Sequence, residues 1–430
     1  MLVKALPADK KGTNWYKLIY TFIIGQGIAQ FIQLLTGFFI IRWLSVEAYA
    51  QFSMAFAFLS TAGILVNFEF PNAIIALVGS NIRNKELIGN YIKAGIYFRK
   101  WFFIIIATVC ILMFPVFFSK HQFPQLVTWL LLISIISDLF FNGLTSYYRP
   151  LLQIHQKISK IYQIEVIGNL LRFLIIVLLY TTVGINSWIV ALAGSLGIIV
   201  SGFLYKRESA IYIEEPVKAS AKAKKEMFNY ISPLIPSTID YAFQGQILIF
   251  IISAFGETRN IAEISALGRL GQLFLLLNAV GPILIAPYMA RQPIQGLVKK
   301  YIIIIILSVS TAIFLTILSF IFPQPLLWMI GEKYYHLKNE VGFLILNGSL
   351  GFVNGILWQM NASRKWIWWW MPILSIPGAI IIQIMCIIYM DLSSTHNVII
   401  FSLITSFFIL LTRVVVAIYG FSKSYKLNLA

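Results

Sequence analysis

Along this chain, long apolar runs alternate with short polar breaks. The runs lie near 18–41, 48–67, 98–118, 126–147, 161–182, 187–205, 228–252, 263–287, 301–322, 341–361, 366–390 and 397–421. About 20 consecutive apolar residues suffice for a helix to cross the hydrocarbon of a bilayer, so the pattern predicts twelve membrane-spanning helices. The second run could continue through "FEFPNAIIALVGS", where Pro71 would kink it because proline donates no backbone N–H.

Polar residues inside the runs fall in stripes. At ~100° per residue, Gln26, Gln30, Gln33 and Gly37 of the first span share about 60° of helix surface. The fourth span carries Ser134, Asp138, Asn142 and Thr145 on one face. The fifth carries Glu165, Asn169 and Arg172, and the seventh Ser237, Asp240 and Gln244. The tenth places Asn347, Asn354 and Asn361 at a seven-residue repeat beside Gly351. An amide without partners in hydrocarbon costs several kcal/mol, so every stripe must face other helices or water. For any one stripe, helix-to-helix glue and cavity lining are equally open. Five stripes in one bundle favour a polar interior, with Gln26, Gln30, Gln33, Asn142, Asn169, Gln244, Asn347 and Asn354 as its expected lining.

Composition makes the membrane reading firm. With 59% hydrophobic and 11% charged residues and a mean hydropathy of +0.83, the apolar runs cannot all be hidden in a soluble core. The first run exceeds a signal-peptide core and is followed by no small-x-small cleavage site, so it is expected to be retained. Cys110 and Cys386 both sit in apolar runs, which argues against a disulfide framework.

Charge predicts orientation. Of the 33 basic residues, only Arg42, Lys120, Arg259, Lys333 and Lys338 fall in one alternate set of loops, and only Arg172, Arg269 and Arg413 fall inside spans, with Arg99 and Lys100 at the edge of the third run counted with the loop before it. The others cluster in the N-terminal segment, the C-terminal tail and the opposite set of loops, so the positive-inside rule puts both termini in the cytoplasm. The net charge of +17 then reflects topology and anionic membrane lipids, with no need for a nucleic-acid partner. "RKWIWWW" (364–370) has the composition of an interfacial anchor.

The most polar interior stretch, 206–226, divides the chain into an N-lobe (1–205) and a C-lobe (227–430) of six spans each. An even number of spans per half relates the halves by an axis along the membrane normal. A shift of 211 lays "LTGFFII" on "QILIFII" and Gln33 on Gln244, a faint trace of such a repeat. No G-x-x-x-x-G-K-[ST] motif is present, and the longest outer loop, about 323–340, is short for an enzyme's acid, base or metal ligands. His121, His155, His336 and His396 are dispersed without ligand spacing. Neither catalysis, a metal nor a cofactor is expected.

Several segments resemble a known family. "FFIIRWLSVEAYAQFSMAFAFL" (38–59) is similar to the first hairpin of Wzx-type polysaccharide flippases. "YISPLIPSTIDYAFQGQILIFIISAFGETRNIAEISALGRL" (230–270) looks like their proline-bearing seventh span and hairpin, and "GFVNGILWQMNASRK" (351–365) resembles their tenth. The resemblance implies the multidrug/oligosaccharidyl-lipid/polysaccharide exporter superfamily: an all-α fold whose two six-helix lobes enclose a central cavity with alternating access across the inner membrane. It also implies an undecaprenyl-diphosphate-linked oligosaccharide as substrate and the polysaccharide polymerase machinery as a possible partner, as in O-antigen synthesis. For that task a diphosphate needs positive charge, and the spans offer Arg269, Arg413 and Arg172. Arg172 and Asp138 both reach the midplane and could instead neutralise each other. Asp240, which follows Pro233 and Pro236, is the leading candidate to couple transport to H+ or Na+, with Asp138 and Glu165 as further candidates. A cation-coupled multidrug exporter of the same superfamily is the alternative, with Asp138 or Asp240 as its acidic group.

Overall fold

The computed structural model describes residues 15–79, 81–214, 218–293, 295–368 and 370–429, and every regular element among them is helical. Contacts divide the chain into two compact units, Met1–Ile247 and Leu248–Ala430. The first contains α1 (Trp15–Trp43), α2 (Val46–Asn67), α3 (Phe70–Val78), α4 (Lys85–Lys120), α5 (Gln125–Ile154), α6 (Ile158–Thr182), α7 (Ser187–Ser209), α8 (Ala221–Ile231) and α9 (Ile235–Gln244). The second contains most of α10 (Ile247–Phe255) and then α11 (Thr258–Leu270), α12 (Phe274–Val280), α13 (Ala286–Ala290), α14 (Leu297–Ile321), α15 (Pro323–Ile330), α16 (Lys338–Ser363), α17 (Trp370–Tyr389) and α18 (Thr395–Leu429).

Among the described residues, nine spans are long and apolar enough to cross a bilayer, ten if the broken pair 221–244 and 247–255 counts as one. Large side chains on these helices face outward: Leu112 is 65% exposed, Phe314 64% and Ile388 67%. Exposed apolar surface on this scale has a natural solvent only in lipid. The chain is a polytopic helical membrane protein.

In the first unit, α5 and α6 pack along α7, α1 lies on α6, and α2 packs on α4 and α5. The second span does extend beyond α2, as the sequence suggested, but its break is not at Pro71. Phe68 interrupts it with φ 42°, and its buried ring stacks on Phe102 at 5.3 Å. Pro71 falls in the first turn of α3, where its missing N–H costs nothing. Arg99, expected at a loop margin, lies inside α4 and is buried. It donates from Nε to Asn67 Oδ1 at 3.0 Å and from Nη2 to the Leu139 carbonyl, joining α2, α4 and α5.

The polar stretch after α7 does not hang free. Ser220 caps α8, its hydroxyl accepting from the Ala223 N–H. Ala223, Met227 and Ile231, four residues apart on one face, enter the apolar core formed by α3, α4 and α5. Lys224 sits 3.9 Å above the Tyr97 ring, and Tyr91 donates to Glu226 at 2.5 Å.

In the second unit, α16 packs between α14 and α18, and α17 lies on α18. At the end of the first unit, the seventh predicted span breaks at Gly245–Gln246. The eighth is irregular: α11 passes through a 3-10 turn into α12, then a π turn at Gly281–Ile285 containing Pro282, then α13. At one end of the second unit Glu263, 5% exposed, gathers three elements. It accepts from Arg259 Nε at 3.0 Å and Thr395 Oγ1 at 2.6 Å and meets His336 Nε2 at 2.7 Å. Glu263→Ala removes the acceptor from all three and is expected to destabilise the protein by about 2 kcal/mol, read as a lower unfolding midpoint of the purified protein. Thr395→Val, which deletes one partner only, should shift it less.

Candidate functional site

Three predicted stripes of the first unit meet around one cavity of about 410 Å³. α1 contributes Gln26, Gln30 and Gln33, α5 contributes Ser134, Asp138, Asn142 and Thr145, and α6 contributes Glu165, Asn169 and Arg172. The helices approach closely because small residues allow it. A Cβ on Gly168 would come within 2.0 Å of Ser201 Oγ, and one on Gly197 within 2.9 Å of the Gly168 carbonyl oxygen. Gly25 lies equally tight against the Tyr162 ring, where a Cβ would sit 2.6 Å from ring carbons.

The wall is mixed in charge. Glu165 Oε1 accepts from Arg149 Nη2 at 2.9 Å and from Nε at 3.1 Å, so this carboxylate is an ion-pair partner and is not available as a lone ion-coupling group. Asp138 is 3% exposed, and its Oδ1 makes no hydrogen bond among the described residues. Its neighbours Ser134 and Ser195 pair with each other at 3.0 Å. Asn169 Nδ2 donates to the Ala29 carbonyl at 3.2 Å, tying α6 to α1. Arg172 lines the same cavity as Asp138.

Sequence reasoning missed Arg149, Ser201 and Tyr205, which also line this cavity. The apolar run 126–147 ends before Arg149 and so places it in a loop, whereas α5 carries it within the helix. The signal was present: Asp138, Asn142, Thr145 and Arg149 continue one stripe at four-, three- and four-residue steps. Tyr205 and Ser201 continue the same way from Gly194 and Gly197 along α7.

The second unit has a separate cavity of about 430 Å³ lined by Asn278, Asn354, Trp358, Gln359 and Arg413, with Gly351 and Gly355 in its wall. Arg413 donates to the Asn354 carbonyl and lies 5.7 Å from the Trp358 ring centroid. Asn354 Nδ2 donates to the Ser406 carbonyl at 3.0 Å, leaving its buried Oδ1 without a partner among the described residues.

Four sequence-chosen residues lie elsewhere. Asn347 lines neither cavity: its amide accepts from Ser406 Oγ and donates to Ser402 Oγ, both at 2.9 Å. With Asn361 Nδ2 on the Arg413 carbonyl at 3.1 Å, Asn347 and Asn361 join α16 to α18, whereas Asn354 between them both bonds α18 and borders the second cavity. Asp240 and Gln244 sit on α9 and line neither cavity; the Gln244 amide reaches Asp240 Oδ1 at a long 3.4 Å. Arg269, at the C-terminal end of α11, lines neither cavity either.

Two polar cavities among apolar membrane-spanning helices place the chain in the class of multi-pass membrane proteins with a polar interior. Residues 16–257, more than half of the chain, match the family described as polysaccharide biosynthesis protein, and the chain belongs to that family. No individual curated protein matches the sequence significantly. Among solved structures, the lipid II flippase MurJ in an inward closed conformation matches with TM-score 0.71 at 14% identity, over 94% of this chain and 89% of that one. An inward-facing multidrug resistance MATE family transporter of the MOP superfamily matches with TM-score 0.66 at 14% identity, over 92% and 96%. At this identity the likeness is one of fold.

Proposed function

We propose that the protein is a flippase that moves an undecaprenyl-diphosphate-linked oligosaccharide across the bacterial inner membrane by alternating access, for O-antigen or another surface polysaccharide. The observation that carries this reading is the first unit's cavity, which the neutral amides Gln26, Gln30, Gln33, Asn142 and Asn169 line together with the guanidiniums of Arg149 and Arg172 and the carboxylates of Asp138 and Glu165. Hydroxyl-rich cargo needs a wall of neutral donors and acceptors, and its diphosphate needs guanidinium groups. Membership of the polysaccharide biosynthesis family agrees with this cargo. The test is deletion of the gene: lipid-linked oligosaccharide should accumulate on the cytoplasmic leaflet while drug sensitivity stays unchanged. Raised drug sensitivity with normal surface glycan would instead support a multidrug exporter.

Both termini are assigned to the cytoplasm on the loop charges. Cysteines replacing Lys224 and Lys365 should react with an impermeant thiol reagent only after the inner leaflet is exposed. Cysteines at Lys120 and Lys338 should react from outside, and the reverse pattern would invert the topology.

Among the acidic residues, Asp138 is best suited to ion coupling, being a cavity carboxylate with an oxygen that no described donor satisfies. Asp138→Asn is expected to remove the dependence of flipping on the H+ or Na+ gradient in proteoliposomes. A variant that flips at the wild-type rate with the same gradient dependence would remove Asp138 from that role.

A further inference from the structure

The cavity of the second unit differs chemically from that of the first. Among the described residues no carboxylate lines it; the polar groups there are the amides of Asn278, Asn354 and Gln359, the Ser406 hydroxyl and the Arg413 guanidinium. Along α16, Gly351, Asn354, Gly355 and Trp358 recur at three- and four-residue spacing and share one face. A Cβ at Gly351 would meet nothing within 4 Å, and one at Gly355 only Asn278 Oδ1, at 3.5 Å. The two glycines therefore leave a shallow, flat floor beside the indole, and the close backbone packing that commonly explains a glycine does not explain Gly351.

The geometry points to a saccharide-ring subsite in this cavity, deepening the flippase reading on which it rests. A pyranose has one face rich in C–H groups and a rim of hydroxyls. The C–H face suits the electron-rich face of an indole, and the hydroxyls suit amides that both donate and accept. Asn354 borders the cavity with a buried carbonyl oxygen that no described donor satisfies, so its amide is not fully committed within the protein. The volume of about 430 Å³ lies within the ~300–1,000 Å³ usual for small-molecule sites. Two alternative ligands fit less well. A lipophilic cation would meet Arg413 with no carboxylate to offset it. A diphosphate would find a single guanidinium, already donating to the Asn354 carbonyl and lying near the Trp358 ring. Arg413 is thereby a positioning residue that orients the indole and the α16 backbone, a role different from the diphosphate contact expected from sequence.

The experiment measures equilibrium binding of two radiolabelled lipids, undecaprenyl diphosphate and undecaprenyl-diphospho-N-acetylglucosamine, to the full-length protein in nanodiscs. The wild type should bind the sugar-bearing lipid more tightly. Trp358→Ala should erase roughly tenfold of that preference and leave the sugar-free lipid unchanged, while Trp358→Phe, which keeps a ring in place, should retain most of it. If Trp358→Ala and Trp358→Phe weaken both lipids equally, or if the wild type binds both lipids with equal affinity, the subsite is wrong and the flippase reading stands. If the wild type binds neither lipid, the flippase reading falls and takes the subsite with it.

Discussion

Replacing Gln26, Gln30 and Gln33 together by leucine is expected to leave the protein in the membrane at its normal level and to abolish delivery of glycan to the cell surface. Were these amides helix glue, they would be bonded across an interface. None of the three makes a side-chain hydrogen bond to another described residue, and Gln33 is exposed while Gln26 and Gln30 are half-buried. The attachment of α1 to α6 comes instead from the Gly25–Tyr162 approach and from Asn169 on the Ala29 carbonyl. The substitution leaves both intact. Leucine is close to glutamine in size and a better helix former, so insertion and folding should survive. The cavity wall changes from wet to greasy, and every cargo hydroxyl that had exchanged water for an amide loses its partner at about 1–3 kcal/mol each. Three such losses along one path are enough to stop transport. The measurement pairs membrane immunoblotting with surface-glycan staining. Normal glycan from the triple variant would return the stripe to helix packing.

The contrast between these glutamines and the asparagines of α16 shows how much of the site was legible. In the sequence both are amides at helical spacing, and periodicity locates the face without saying what lies opposite. The α1 glutamines border a cavity; Asn347 and Asn354 of α16 meet Ser402, Ser406 and the backbone of α18. The apolar runs predicted where helices lie, since run length alone constrains a span. They did not predict where the seventh and eighth break, because Gly245–Gln246 and the π turn at Gly281–Ile285 are set by packing as much as by local propensity. Arg149 was missed for a different reason. The stripe containing it was cut at the assumed edge of the hydrocarbon, whereas α5 continues as one helix to Ile154.

That arginine carries the second large effect. Arg149→Ala is expected to destabilise the protein and to stop glycan export, whereas Glu165→Gln should be tolerated better. The guanidinium and carboxylate are 41% and 25% exposed, so water screens the pair and its net worth is small. Removing only the cation leaves the cavity carboxylate of Glu165 with no counter-charge bonded to it. With partial exposure, that should cost about 1–2 kcal/mol, below the range for a fully buried pair. Glu165→Gln leaves a neutral acceptor for the same two N–H groups and keeps the positive charge in the cavity. The pair of roles separates in the exchanged variant, Arg149→Glu with Glu165→Arg. Its ion pair can re-form between α5 and α6, so the unfolding midpoint should recover most of the loss. The positive charge, however, moves to another helix and another depth along the cargo path, so export should remain defective if Arg149 meets the diphosphate. Export restored together with stability would make Arg149 a structural partner of Glu165 and leave the diphosphate to Arg172.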